Sequence, residues 1–149
     1  MQLKRKIMVQ DLIHILHNEQ CACVIQNEEV KKFHNRGIMD LYGLYDREPD
    51  FLKGAEVADH VIGKAAAALL IAGGAKQVYA DLISLSALVL LREAGIPTEF
   101  EQVVSYIQNH RLTDWCPMES ECYNEKSVED MLPLIKQFVE SQRPKTQEV

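Results

Sequence analysis

The run GAEVADHVIGKAAAALLIAGG, Gly54 to Gly74, constrains the fold more than any other part of the chain. It is apolar on nearly every side, so it predicts one long helix buried on most faces, stopped by Gly73-Gly74 in the left-handed region. AKQVYADLIS follows at once and reads as a strand. LSALVLLREAG then reads as a second buried helix, capped by Ser84 or Ser86 and ending at Gly95. IPTEFEQVVSYIQ supplies further strand material. The unit from Val78 to Phe100 is therefore strand, helix, strand. That order predicts a right-handed crossover within a three-layer α/β domain.

The flanks agree with this reading. MQLKRKIMVQDLIHILHNEQ begins like a secretion signal, but Asp11, His14 and His17 interrupt its apolar stretch and no small-residue cleavage site follows. Leu12, Ile13, Ile15 and Leu16 suit an amphipathic helix. CACVIQNEEVKKFHNRG predicts a β-hairpin turning at Asn27-Glu28, with Cys21 and Cys23 on one face. IMDLYGLYDREPDFL is expected to be helical and to stop near Pro49. SVEDMLPLIKQFVESQ predicts a last helix opened by Ser127, with an acidic residue three positions on. Residues 1–141 are read as one domain and 142–149 as a polar, disordered tail.

Charge and length bound the function. The chain has 149 residues and a formal net charge of −6, with 47% apolar and 26% charged residues. One globular domain with a real core is expected. An acidic chain without a basic face is a poor partner for nucleic acid. AAAALLIAGGA is too short to span a bilayer, so no membrane partner is expected. A cytoplasmic location follows, in which four cysteines are free thiols rather than disulfides.

Several residue groups invite chemistry. Cys21-x-Cys23 and Cys116-x5-Cys122 lack a histidine at ligand spacing, and a zinc site needs three or four converging ligands. The first pair suits a strand core, where cysteine packs as a small hydrophobe. Cys116, beside Pro117, is expected in a loop, as a reactive thiol or an inert one. Gly63 falls inside the predicted long helix, which suggests close approach by a backbone or a ligand. Lys64 follows it among alanines. It either snorkels outward or anchors an anion or a carbonyl. Asp59 could partner Lys64 only if the helix bends.

Ser84, at a strand-to-helix junction, caps the helix or helps receive an anion on backbone amides. Arg36 could bind an anionic group beside its turn. No P-loop is present, because Ala58 and Ala65 stand where the motif needs a glycine and a hydroxyl. A Cys116–Cys122 redox pair is disfavoured by spacing.

QVYADLISLSALVLLREAGI resembles the second half of a zinc-dependent cytidine-deaminase-type core. There a strand leads into P-C-x-x-C at a helix start, and an upstream H-x-E supplies the third ligand and the general acid/base. Here SLSAL replaces the cysteines, and ADHVIGK offers His60 without the glutamate. Zinc-hydroxide deamination is excluded on chemical grounds. CACVI, RGI, LKGAEVADHVIGKAAAALLIAGGAKQVYADLIS, LREAGI and CPME together resemble an uncharacterised prokaryotic family. It is catalogued as domain of unknown function eighteen-ninety-three.

The resemblance covers roughly Cys21 to Glu119. It implies a cytidine-deaminase-like α/β/α sandwich on a mixed sheet of about five strands, without the metal. It also implies a pocket where the deaminase site would be, at Asp59, Gly63, Lys64, Ser84, Cys116 and Glu119. The expected function is metal-independent binding, or an unassigned reaction, of a nucleotide-like or phosphorylated small molecule. Lys64, Asp59 and Cys116 would be catalytic; Gly63, Ser84, Glu119 and Arg36 would bind ligand; no cofactor is expected. The alternative is a non-catalytic ligand-sensing or protein-interaction module. The apolar helices would suit a homodimer.

Overall fold

A computed structural model of the chain describes residues 9–34, 38–109, 111 and 113–142. Helix α1 (Val9–Asn18) leads into a hairpin of β1 (Cys23–Asn27) and β2 (Glu29–Phe33). Glu28 makes its turn at φ 42°. Two helices follow, α2 (Met39–Arg47) and the short α3 (Pro49–Leu52). Pro49 does stop the first of these, but it also starts the second, since proline is suited to the first helical position.

The predicted long helix is two elements. Glu56–Ile62 is strand β3, and the helix α4 begins only at Lys64 and runs to Gly73. Gly63 is therefore the residue before the helix, in extended conformation, rather than a mid-helix glycine. The cause is physical. A central strand buried on both faces need not alternate apolar and polar residues, so it imitates a buried helix. Gly74 closes α4 at φ 81°, as the sequence predicts.

Strand β4 (Gln77–Ser84), helix α5 (Leu85–Glu93) and strand β5 (Thr98–Val104) form the expected strand–helix–strand unit. Ser84 caps α5 by accepting the Ala87 amide. A short helix, α6 (Pro117–Cys122), stands where a loop is expected, and α7 (Val128–Gln142) ends the described chain. Ser127 accepts the Asp130 amide at the start of α7, the cap its sequence predicts. Gln142, assigned to the tail, is the last residue of α7, and residues 143–149 lie outside those described.

The five strands make one mixed sheet in the order β2-β1-β3-β4-β5. β1 is antiparallel to β2 and to β3, with Cys23 opposite both Phe33 and Asp59. β3, β4 and β5 are parallel, with Val57 beside Val78 and Val78 beside Thr98. Successive parallel strands added in one direction place their crossover helices on one face. Helices α4 and α5 accordingly share one large core with residues of α2, α6 and α7. The other face is covered by α1, whose Leu12 and Leu16 pack with Cys21, Val24, Ala58 and Tyr79. The result is the α/β/α sandwich.

Cys21 belongs to the α1 side and Cys23 to the larger core. They do not share a face, because β1 starts only at Cys23 and Cys21 precedes it in irregular chain just after the turn at Glu19-Gln20. All four cysteines are free thiols. Among the described residues no helix is long and apolar enough to cross a membrane.

Candidate functional site

In open α/β sheets, ligands bind beyond the carboxyl ends of the parallel strands. Here that edge carries Gly63 after β3, Ser84 at the end of β4 and the segment after β5. Helix α6 is seated over it. Met118, Glu119 and Cys122 form the buried inner side of α6, while Pro117, Ser120 and Tyr123 face outward.

Glu119 is 1% exposed and organises the inner side. Its Oε1 accepts the Lys64 backbone amide at 2.9 Å and the Ser84 hydroxyl at 3.2 Å. Its Oε2 accepts the Ile107 amide at 2.7 Å. The carboxylate thus sits at the amino end of α4, where the helix dipole favours negative charge. Gly63 is explained by the same contact. A Cβ there would meet Ile107 Cγ1 at 3.3 Å and both Glu119 oxygens at 3.5 Å. The close approach that the glycine suggests is made by the protein's own carboxylate.

Lys64 is 8% exposed and does not snorkel. Its ammonium donates to the carbonyls of Tyr123 at 2.8 Å and Glu125 at 2.5 Å, just past the end of α6. A cation at a helix carboxyl end is electrostatically favoured. Lys64 therefore binds α6 twice, through its amide to Glu119 and through its side chain to the closing carbonyls.

The structure brings Gly63, Lys64, Ser84 and Glu119 together and leaves Asp59 apart from them. Asp59 lies on β3, where its carboxylate accepts the Val61 amide at 3.1 Å and a bond from the Cys23 thiol. Burial raises its pKa to about 7, against the opposing pull of those bonds. It is a proton acceptor poised near neutrality, but Lys64 is engaged elsewhere. Cys116 is the residue before α6, partly buried against the core, with its amide donated to Ile107. Cys122 is buried, and burial raises its thiol to about 11, so it is no nucleophile at neutral pH. Arg36 lies outside the described residues.

A cleft of about 460 Å³ opens on the outer side of α6, lined by Asp114, Trp115, Pro117, Ser120, Tyr123 and Asn124. Trp115 stacks on Tyr106, with ring centroids 4.3 Å apart and planes within 4°. Tyr123 meets Trp115 at 83°, with centroids 4.8 Å apart. The rings form an aromatic corner beside one carboxylate, one amide and one hydroxyl. Sequence reasoning missed these residues, although Trp115 is the only tryptophan in the chain. Among the described residues no group of three or more His, Cys, Asp or Glu is placed to hold a metal ion.

Comparison with known proteins adds the family. The sequence profile of a domain of unknown function, DUF1893, matches residues 11–139. The chain belongs to the DUF1893 family. A crystal structure of a DUF1893 family protein (TM1506) from Thermotoga maritima is similar, with a TM-score of 0.82. It is 20% identical, over 91% of this chain and 92% of that one. At that identity the likeness shows the fold alone. No curated protein matches. Membership in the DUF1893 family brings no reaction with it, and the function has to be argued from the residues.

Proposed function

We propose that this DUF1893 protein binds a small molecule, without a metal, in the cleft beside Trp115 and Tyr123. The ligand is a planar ring system of nucleobase or nucleoside type, held on a cytidine-deaminase-like fold. One observation carries the reading: an aromatic corner with a few polar groups lines the outer side of α6, the helix seated over the carboxyl ends of the parallel strands. Aromatic faces receive planar heterocycles by stacking, while Asp114, Ser120 and Asn124 offer hydrogen bonds to a ring edge.

The metal-independent part rests on residue identity. Gly63-Lys64-Ala65-Ala66 opens α4 and Ser84-Leu85-Ser86-Ala87 opens α5. Neither supplies the histidine, glutamate or cysteines that zinc deamination requires. Among the amides near Ser84 expected to receive a ligand anion, that of Ala87 is bonded to the Ser84 hydroxyl oxygen, while the Lys64 amide at the start of α4 is bonded to Glu119. That commitment of Lys64, Ser84 and Glu119 to protein partners favours the non-catalytic alternative, a ligand-sensing module.

Trp115 makes the test direct, because all tryptophan emission comes from the cleft. Titration with nucleobases, nucleosides and their phosphates should quench or shift that emission for at least one member, with saturation. Tyr123→Ala, at a position 45% exposed, should weaken that ligand about tenfold, the order expected for one lost stacking partner. Unchanged emission across the panel at millimolar concentration would overturn the proposal.

A further inference from the structure

Stacking alone accepts every flat heterocycle, because each has a π-face. The charges around the cleft are more selective. Among the six residues that line it, Asp114 is the only charged one. Its Oδ1 accepts the Trp115 backbone amide at 2.8 Å, so the carboxylate is tied to the residue that carries the indole. Its Oδ2 carries no hydrogen bond from the described residues. Gln108 pairs with Trp115 in an isolated antiparallel bridge, and the Asn109 amide donates to the Asp114 carbonyl at 2.9 Å. Carboxylate and ring are held side by side.

No lining cation offsets this charge. Arg111 and Lys126, the arginine and lysine nearest along the chain, are not among the lining residues. Lys64 lies on the inner side of α6, buried, with its ammonium bound to the Tyr123 and Glu125 carbonyls. Glu121, exposed on α6, adds negative charge nearby, and the chain as a whole carries −6.

The rings act in the same sense. Trp115 and Tyr123 stand at 83° with centroids 4.8 Å apart, and Tyr123 is 45% exposed. The face of an aromatic ring is the negative part of its quadrupole, so it attracts a cation within about 6 Å, tryptophan most strongly. One carboxylate and two π-systems therefore favour positive charge, and no lining group opposes them.

We propose, on the basis of the stacking site set out above, that the cleft selects a planar heterocycle carrying a positive charge, of N-alkylated pyridinium or purinium type, over its neutral parent and over its phosphates. The delocalised charge of such a ring meets the aromatic faces, and Asp114 Oδ2 receives its positive edge. A phosphate in the same place meets a carboxylate and no cation, so phosphorylation of the ligand weakens binding.

Emission from Trp115 in the full chain reads this selection through pairs that differ by one positive charge: nicotinamide against 1-methylnicotinamide, and adenosine against 1-methyladenosine. Each cation should bind about fivefold tighter than its neutral parent, and adenosine 5′-monophosphate should bind more weakly than adenosine. The preference should shrink as salt rises from about 0.01 M to about 0.5 M, because exposed charges are screened. Asp114→Asn keeps an oxygen for the Trp115 amide and removes the charge, at an exposed position. In that variant the cation-to-neutral affinity ratio should fall about threefold. The extra methyl group is common to both proteins, so the change in ratio reports charge. Cations bound no tighter than their parents, or a ratio unchanged in Asp114→Asn, would overturn the selection and leave the stacking site standing. Failure of every compound to bind, neutral and charged, would overturn both.

Discussion

Removing the Glu119 carboxylate should unseat α6, and the cost can be worked from its bonds. Three donors converge on it, the amides of Lys64 and Ile107 and the hydroxyl of Ser84. Hydrogen bonds to a buried charged group contribute about 1.5–3 kcal/mol each, and an orphaned buried donor costs about 1–3 kcal/mol. Glu119→Gln keeps the shape and one acceptor oxygen, enough for Lys64 and Ser84. Its new amide nitrogen then faces the Ile107 N–H, donor against donor, so one strong bond is lost and one donor orphaned. The expected loss is about 2–4 kcal/mol. Glu119→Ala orphans both amides, while the Ser84 hydroxyl can turn to Ser86, for about 2–6 kcal/mol. Urea denaturation at neutral pH reads this directly: with a slope of about 2 kcal/mol/M, the Gln variant's midpoint should fall by about 1–2 M. A Gln variant within about 0.5 kcal/mol of the native chain would refute the reasoning. The junction would then tolerate a neutral group as readily as a carboxylate.

Asp59 gives a pH prediction whose sign is fixed by its raised pKa of about 7. Between the ordinary carboxylate range and about 7, the folded chain keeps a proton that the unfolded chain has lost, so stability falls as pH rises through this window and levels above it. Asp59→Asn should remove this slope, changing the native-minus-variant difference by about 1–2 kcal/mol between about pH 4 and about pH 7, allowing for partial exposure; a flat difference in denaturation midpoints would count against it. Gly73→Ala should destabilise although alanine is the better helix former, because its Cβ would meet Leu52 Cδ1 at 2.7 Å and Leu52 Cβ at 2.8 Å. A melting-temperature drop corresponding to about 1–2 kcal/mol is expected, and a rise would show that Leu52 can move aside.

Local patterns were enough where one face of an element meets solvent. The hairpin, α1, α5 and α7 announce themselves by alternation, helical spacing or a serine cap, and each stands near its expected place. The run from Gly54 to Gly74 fails for the opposite reason. Burial of apolar residues on both faces of β3 and around most of α4 blurs the polar marks that distinguish period two from period 3.6, so the two merge into one apolar stretch. A subtler signal was present: Val57, Val61 and Ile62 precede Gly63, and unbranched alanines follow it, a switch from strand formers to helix formers across one glycine. Of the site, Gly63, Lys64, Ser84 and Glu119 were legible as residue types, but not their partners. Lys64 meets Glu119 across 55 residues of sequence and Tyr123 across 59. Away from the site, the contacts of Asp81 likewise join positions 17, 60, 79 and 81 from three elements. No local pattern encodes such pairings.

The two sides of α6 are mechanically one object. A helix of six residues cannot hold its shape alone, so its order depends on what pins its ends. Glu119 pins its first turn to the ends of β3 and β4, and the Lys64 ammonium holds the carbonyls just past its last turn. Pro117, Ser120 and Tyr123 on the outer side are thereby fixed relative to Trp115. The residues that resemble a catalytic set thus serve as the foundation of the cleft, and a change at Lys64 or Glu119 would reach a ligand bound there as proposed without touching it. Loss of binding in such variants is therefore no sign of a catalytic role. That role requires a substitution that spares the geometry of α6 while abolishing turnover.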